Sequence, residues 1–162
     1  MTVTIKTADF DKVLRRLTEQ PMHVVVGVIG QEAAQPHRGG DDDPEFSAVP
    51  ATLVEVATFN HYGTSRIPAR PFLDIAVNEH ERAILKRNER IVRQFVRGAL
   101  TLTQALELMG QAFTDDVKNT ISKGVLPENA ESTIQQKRSS TPLINTGQLR
   151  GAITYSVRSG AP

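Results

Sequence analysis

The chain has 162 residues, 39% of them hydrophobic and 23% charged, an ordinary composition for a single domain long enough to bury a core. Its 19 basic and 18 acidic residues leave a net charge of +1, so no bulk field draws it to nucleic acid or to an anionic membrane. The absence of cysteine excludes disulfides, thiolate catalysis and cysteine zinc sites, and 5% aromatics with no Trp is a poor stacking surface for single-stranded nucleic acid.

At the N-terminus Val3 and Ile5 alternate with Thr2, Thr4 and Lys6, the pattern of a short strand with one wet face and not of a signal peptide. Phe10, Val13, Leu14 and Leu17 then recur at helical spacing, and Pro21 ends that helix. Residues 22–29 form a continuous apolar run rich in Val, which predicts a central strand buried on both faces. The stretch 30–48 contains Gly39-Gly40, Asp41, Asp42, Asp43 and Pro44. It holds too little apolar surface to fold alone and reads as a long loop or arm.

Leu53, Val56, Ala57 and Asn60 mark a second helical face with Gly63 placed to end it. Each Pro of Ser65-Arg-Ile-Pro-Ala-Arg-Pro71 pushes the preceding residue out of the α region, which gives a stiff extended connector. From Leu73 to Phe95 the apolar positions keep helical phase for about six turns, and Gly98 is the expected stop. Thr101 and Gln104 have the spacing of a capping box. A helix follows on Leu102, Leu106, Met109, Phe113 and Val117, with Gly124 as its stop. Asn129 is placed to cap a short turn over 130–137, residues 142–150 form a loop entering a helical turn, and Ile153, Tyr155 and Val157 alternate as a last strand. No apolar run approaches the roughly 20 residues of a membrane span. The sum predicts an α+β fold for a single domain over 1–162: a small antiparallel sheet packed against three to four helices, with the arm at 30–48.

Three groups of residues could carry chemistry. His37 with Asp41, Asp42 and Asp43 offers nitrogen and oxygen ligands, but consecutive Asp side chains point in different directions and lack the alternation of a calcium loop. A solvated acidic loop is the plainer reading, and no metal or other cofactor is expected. His61 lies six residues from Glu55, and His80 falls on an apolar stripe, so packed histidines are expected over general acids or bases. No nucleophile elbow, zinc-protease pair or phosphate loop occurs, and an enzyme is not expected. On the long helix Arg82, Lys86, Arg90 and Arg93, together with Arg87 and Arg97, make a basic face. Arg82, Lys86 and Arg90 are spaced i, i+4, i+8, so like charges repel unless compensated. A solvated face, an acidic surface on a neighbouring subunit (the Asp41–Asp43 run being one candidate) and DNA in a channel all fit this pattern.

Two stretches carry something more specific. One is Val56-Ala-Thr-Phe-Asn-His-Tyr-Gly-Thr-Ser-Arg-Ile-Pro-Ala-Arg-Pro-Phe-Leu73 and the other Ser140-Thr-Pro-Leu-Ile-Asn-Thr-Gly-Gln-Leu-Arg-Gly-Ala-Ile-Thr-Tyr155. In this order, with the long helix between them and the spacer Pro127-Glu-Asn-Ala-Glu-Ser-Thr133, they resemble the signature segments of tail-completion (neck) proteins of tailed phages, the virion-morphogenesis family. An acidic residue is common in that family where Asn60 or His61 stands, and Asp where Asn145 stands. Asn145 keeps the turn-forming ability of Asp but not its charge.

The resemblance implies a structural protein without turnover or cofactor, located in the virion neck and, during assembly, in the host cytoplasm. It implies a closed ring of identical subunits, sixfold by family analogy, around the path of the packaged DNA. Its partners would be head–tail connector proteins and a tail terminator or tail tube protein. A tail terminator or head-closure ring is the alternative within the same machine, and a DNA-binding regulator using the 82–97 helix is the alternative outside it. Apart from the family, the stiff connector is expected to hold Arg66 and Arg70 outward. Asn145-Thr146 is expected to cap the turn that presents Gln148 and Arg150. All four, with Asp41, Asp42 and Asp43, are the expected subunit contacts.

Overall fold

The computed structural model describes residues 7–18, 21–36, 51–129, 134, 141–144 and 147–160. The expectations placed on Val3 and Ile5, on the helical turn after Ala130, on His37 and Asp41–Asp43, and on Asn145 and Thr146 lie outside the described residues. Helix α1 (Thr7–Thr18) leads to strand β1 (Met22–Val28) and a 3-10 turn (Gly30–Ala34). Helices α2 (Leu53–Tyr62), α3 (Phe72–Val96) and α4 (Leu102–Lys123) follow, then a short α5 (Gln148–Ala152) that runs directly into strand β2 (Ile153–Ser159). The fold is α+β, as its residue patterns predict.

Local chemistry accounts for the helix boundaries. Thr52 Oγ1 accepts from Glu55 N while Glu55 Oε2 accepts from Thr52 N, a reciprocal cap that opens α2. The same pair of bonds between Thr101 and Gln104 opens α4. Helix α3 closes on Gly98, at φ 77. Gly98 N donates to Phe95 O and Ala99 N to Gln94 O, a Schellman closure that satisfies the last carbonyls and reverses the chain into α4. The short reversal makes α3 and α4 an antiparallel pair.

Among the described residues the sheet has two strands, β1 and β2, antiparallel, with Val24 opposite Val157, Val26 opposite Tyr155 and Val28 opposite Ile153. Helix α4 covers it: Val26 and Val28 pack on the main core, and the space above Gly110 on α4 is taken by Val24 and Tyr155. The expectation of a central strand buried on both faces is corrected. Among the described residues β1 pairs on one side only, and six of its seven residues are half-buried. Its second face is His23, Val25 and Gly27 opposite Arg158, Ser156 and Thr154, too polar to seed another layer. The run of Val measured strand propensity and did not measure the number of neighbours.

Two cores result. The larger joins Ala57, Phe72, Ala76, Val117, Ile121, Val125, Leu143, Leu149 and Ile153. The smaller lies at the other end of the helix pair, where Ile91, Phe95 and Ala105 are packed by Val13, Met109 and their neighbours. Fully burying one such large side chain is worth about 1.5–3 kcal/mol, so the larger core dominates the stability.

Candidate functional site: the converging motif segments and the outer helix faces

The two signature stretches meet in space. Ala57 and Phe72 come from the first and Leu143, Leu149 and Ile153 from the second, and all five sit in one core. The connector after α2 is shaped by Gly63, whose φ is 77 and where an added Cβ would lie 2.8 Å from Ala69 N. Thr64 Oγ1 accepts from Arg66 N and Ile67 N at 3.2 and 3.0 Å, and Arg70 N donates to Asn60 O at 2.7 Å. The chain therefore folds back along α2 and delivers Phe72 to the core at the first turn of α3. Across from it, Leu143 is buried at φ 64, a left-handed conformation that costs of order 1 kcal/mol or more and persists because its side chain is held in the core.

Arg70 departs from the expectation. The connector does not hold it outward: it is 4% exposed. Its Nε donates to Pro127 O at 2.7 Å and its Nη2 to Glu128 O at 3.1 Å and Asn129 Oδ1 at 3.3 Å. Burial pulls the guanidinium below its ordinary value without bringing it near neutrality. Among the described residues the cation is met by carbonyl oxygens, so it ties the connector to the start of the 127–133 spacer. Its Nε and Nη2 are thus engaged inside the subunit. Stiffness of the connector predicted direction of the chain but not which side of it faced the core.

The other predicted contact residues remain near the surface. Arg66 is exposed and Gln148 half-buried. Arg150 is exposed while its Nε donates to Lys118 O at 3.3 Å, near the end of α4. Gly147, at φ 79, precedes α5 in the position of its N-cap.

His61 and His80 are packed, as their positions predict. His61 lies edge-on to Tyr62 and Phe72, with Nε2 3.6 Å from Asp74 Oδ2, and its buried Nδ1 has no hydrogen-bond partner among the described residues. His80 and Glu79 face Thr120 across the α3–α4 seam, where Thr120 Oγ1 donates to Glu79 Oε2 at 3.2 Å. Glu55 lies in the cap of α2, where its backbone and side-chain bonds to Thr52 hold its carboxyl below the ordinary value. Among the described residues no three His, Asp or Glu side chains converge on a metal-sized point, and no helix is long and apolar enough to cross a membrane.

The basic face of α3 is partly compensated. Arg87 Nη2 meets Asp116 Oδ2 of α4 at 2.5 Å, and Arg93 Nη2 meets Glu89 Oε1 at 2.5 Å. Arg82, Lys86, Arg90 and Arg97 are exposed and form no ion pair among the described residues. Two features escaped the residue patterns. One is the Arg87–Asp116 pair, made 29 residues apart. The other is Gly110, which admits the sheet onto α4; its only signal was a glycine inside an otherwise regular helical stripe. Helix α2 also carries an outward apolar face of Val54, Phe59 and Tyr62, the last 76% exposed. No protein-family model, curated protein or solved structure matches the chain.

Proposed function

We propose that this chain is a non-enzymatic ring subunit of a tailed-phage neck, of the tail-completion type, resident in the virion after assembly in the host cytoplasm. One observation carries the reading. The segments that bear the resemblance, 56–73 and 140–155, share one core, and Arg70 of the first binds the backbone of the spacer at Pro127 and Glu128. Segments far apart in sequence that depend on one another for burial behave as one unit, so their joint occurrence has a physical basis beyond chance similarity.

The proposed role is one of interfaces. A closed ring uses heterologous contacts, one face of each subunit meeting a different face of the next. The exposed apolar side chains of α2 and the exposed cations of α3 are surfaces of the kind such contacts consume. The partners would be copies of itself, the connector proteins on the head side and the terminator or tube protein on the tail side, with packaged DNA passing through the ring.

Native mass spectrometry and negative-stain imaging of the purified chain, with detection of the protein in parent particles, test the reading. Closed rings of one subunit type, and presence at the head–tail junction, are expected. A chain that stays monomeric at high concentration and is absent from particles would overturn it.

A further inference from the structure

Charge is segregated in the part of the α3–α4 pair next to its connecting turn, although α3 also holds Asp74, Glu79 and Glu81 before it and α4 Lys118 and Lys123 after it. Residues 82–97 of α3 and its C-cap hold six cations (Arg82, Lys86, Arg87, Arg90, Arg93, Arg97) and one acid, Glu89. Residues 102–117 of α4 hold three acids (Glu107, Asp115, Asp116) and neither Lys nor Arg. The two segments are 16 residues each, about 24 Å of helix. If the charges served to hold the two helices together, they would pair across the seam. Only Arg87 and Asp116 do so.

The remainder points away from the seam. On α4, Asp116 and Thr120 touch α3, and Glu107 and Gln111 lie nine residues before them, two and a half turns and so on the opposite side. Glu107 is exposed there, Leu108 (47%) and Asp115 are exposed on the flank beside it, and Gln111 Nε2 donates to Asp115 Oδ1 at 3.1 Å. On α3 the outer side carries Leu85 and Val92, spaced i, i+7 and exposed by 63% and 46%, beside exposed Arg82 and Lys86. Each subunit thus bears a basic face with apolar side chains on α3 and, on the outer side of α4, exposed Glu107 and Asp115 with Leu108 beside them and half-buried Lys118 at the end of the stripe.

From this complementarity, and resting on the ring reading above, we infer that the outer face of α3 in one subunit docks on the outer face of α4 in the next. Two α3 faces cannot meet, because their cations would be stacked against each other, so the contact is head-to-tail and repeats around a ring. Exposed Leu85 and Val92, with Glu89 between them, suit a protein surface better than a phosphate backbone.

Charge reversal tests the assignment. One variant carries Arg82→Glu and Lys86→Glu; the other carries Glu107→Lys and Asp115→Lys. All four sites are exposed, and each variant keeps one native face. Assembly is read by sedimentation velocity and native mass spectrometry. Each variant alone should need about tenfold or more protein to assemble. Mixed in equal amounts, they should assemble again with the two chains alternating, since every contact then joins opposite charges; that recovery also shows that both variants fold. Wild-type-like assembly of either variant alone, or no recovery on mixing, overturns the face assignment and leaves the ring reading standing. A wild-type chain that never assembles overturns both. Normal assembly of the first variant with loss of a salt-sensitive affinity for duplex DNA would assign the α3 face to nucleic acid and also overturn the proposal.

Discussion

Arg70 and Pro127 are joined by a 2.7 Å hydrogen bond from guanidinium Nε to backbone carbonyl, made inside the subunit by an arginine that is 4% exposed. A buried guanidinium among carbonyl oxygens makes charge-assisted hydrogen bonds, and removing it leaves those acceptors without a donor. The connector is therefore tied to the chain at Pro127 and Glu128.

Replacing Arg70 should affect folding before assembly. Arg70→Ala is expected to lower the stability by about 2 kcal/mol, through loss of the charge-assisted hydrogen bonds to the carbonyls of Pro127 and Glu128. Arg70→Lys keeps the charge but not the planar fork and should recover only part of the loss. Urea unfolding followed by circular dichroism measures both; a variant as stable as wild type would show that water replaces the fork.

Gly110→Ala should destabilise despite a helix-propensity gain of about 1 kcal/mol. The added methyl would lie 2.7 Å from the Tyr155 ring and from Val24 Cγ2, and such overpacking costs about 1–3 kcal/mol. Shortening Tyr155 to Leu in the same chain should relieve part of the clash. A double-mutant cycle by thermal unfolding checks this, with favourable coupling expected between the two substitutions.

Gly63→Ala should cost more than about 1 kcal/mol. The residue sits at φ 77 with Ala69 N at 2.8 Å from the new Cβ, so strain and contact add. Because Gly63 sets the path to Phe72, the loss should appear as weaker protection of the first turn of α3 in hydrogen exchange.

Glu55 gives a pH dependence with a definite sign. Its carboxyl is held below the ordinary value by the bonds to Thr52, so in the unfolded chain it binds protons more readily than in the fold. Its contribution is present above the ordinary carboxylate value and is lost as pH falls through the lower, folded value. Glu55→Gln keeps a capping side chain and removes this titration. The stability difference between wild type and Glu55→Gln should therefore be constant near neutral pH and shift against wild type only in acid. Chemical denaturation across that range measures it, and the carboxyl carbon shift of Glu55 reports the titration directly.

Much of the fold is decided within a few residues and is legible as sequence. The capping box at Thr101 and Gln104, the stops at Gly63, Gly98 and Gly124, the long apolar phase of α3 and the alternation of β2 each depend on neighbours one or two turns away, where hydrogen-bond geometry and side-chain period do the selecting. The motif segments were also visible, and so was the basic face of α3. Tertiary structure decided the rest. Arg70 turned inward because its acceptors stand 57 to 59 residues later in the chain, and no local rule weighs a carbonyl that far away against water. The Val run of β1 could not report that only one strand among the described residues pairs with it, nor could Gly110 report the Tyr155 ring packed above it. Propensity and period are properties of a segment. Burial and close approach belong to pairs of segments, and they exist only once the chain has brought those pairs together.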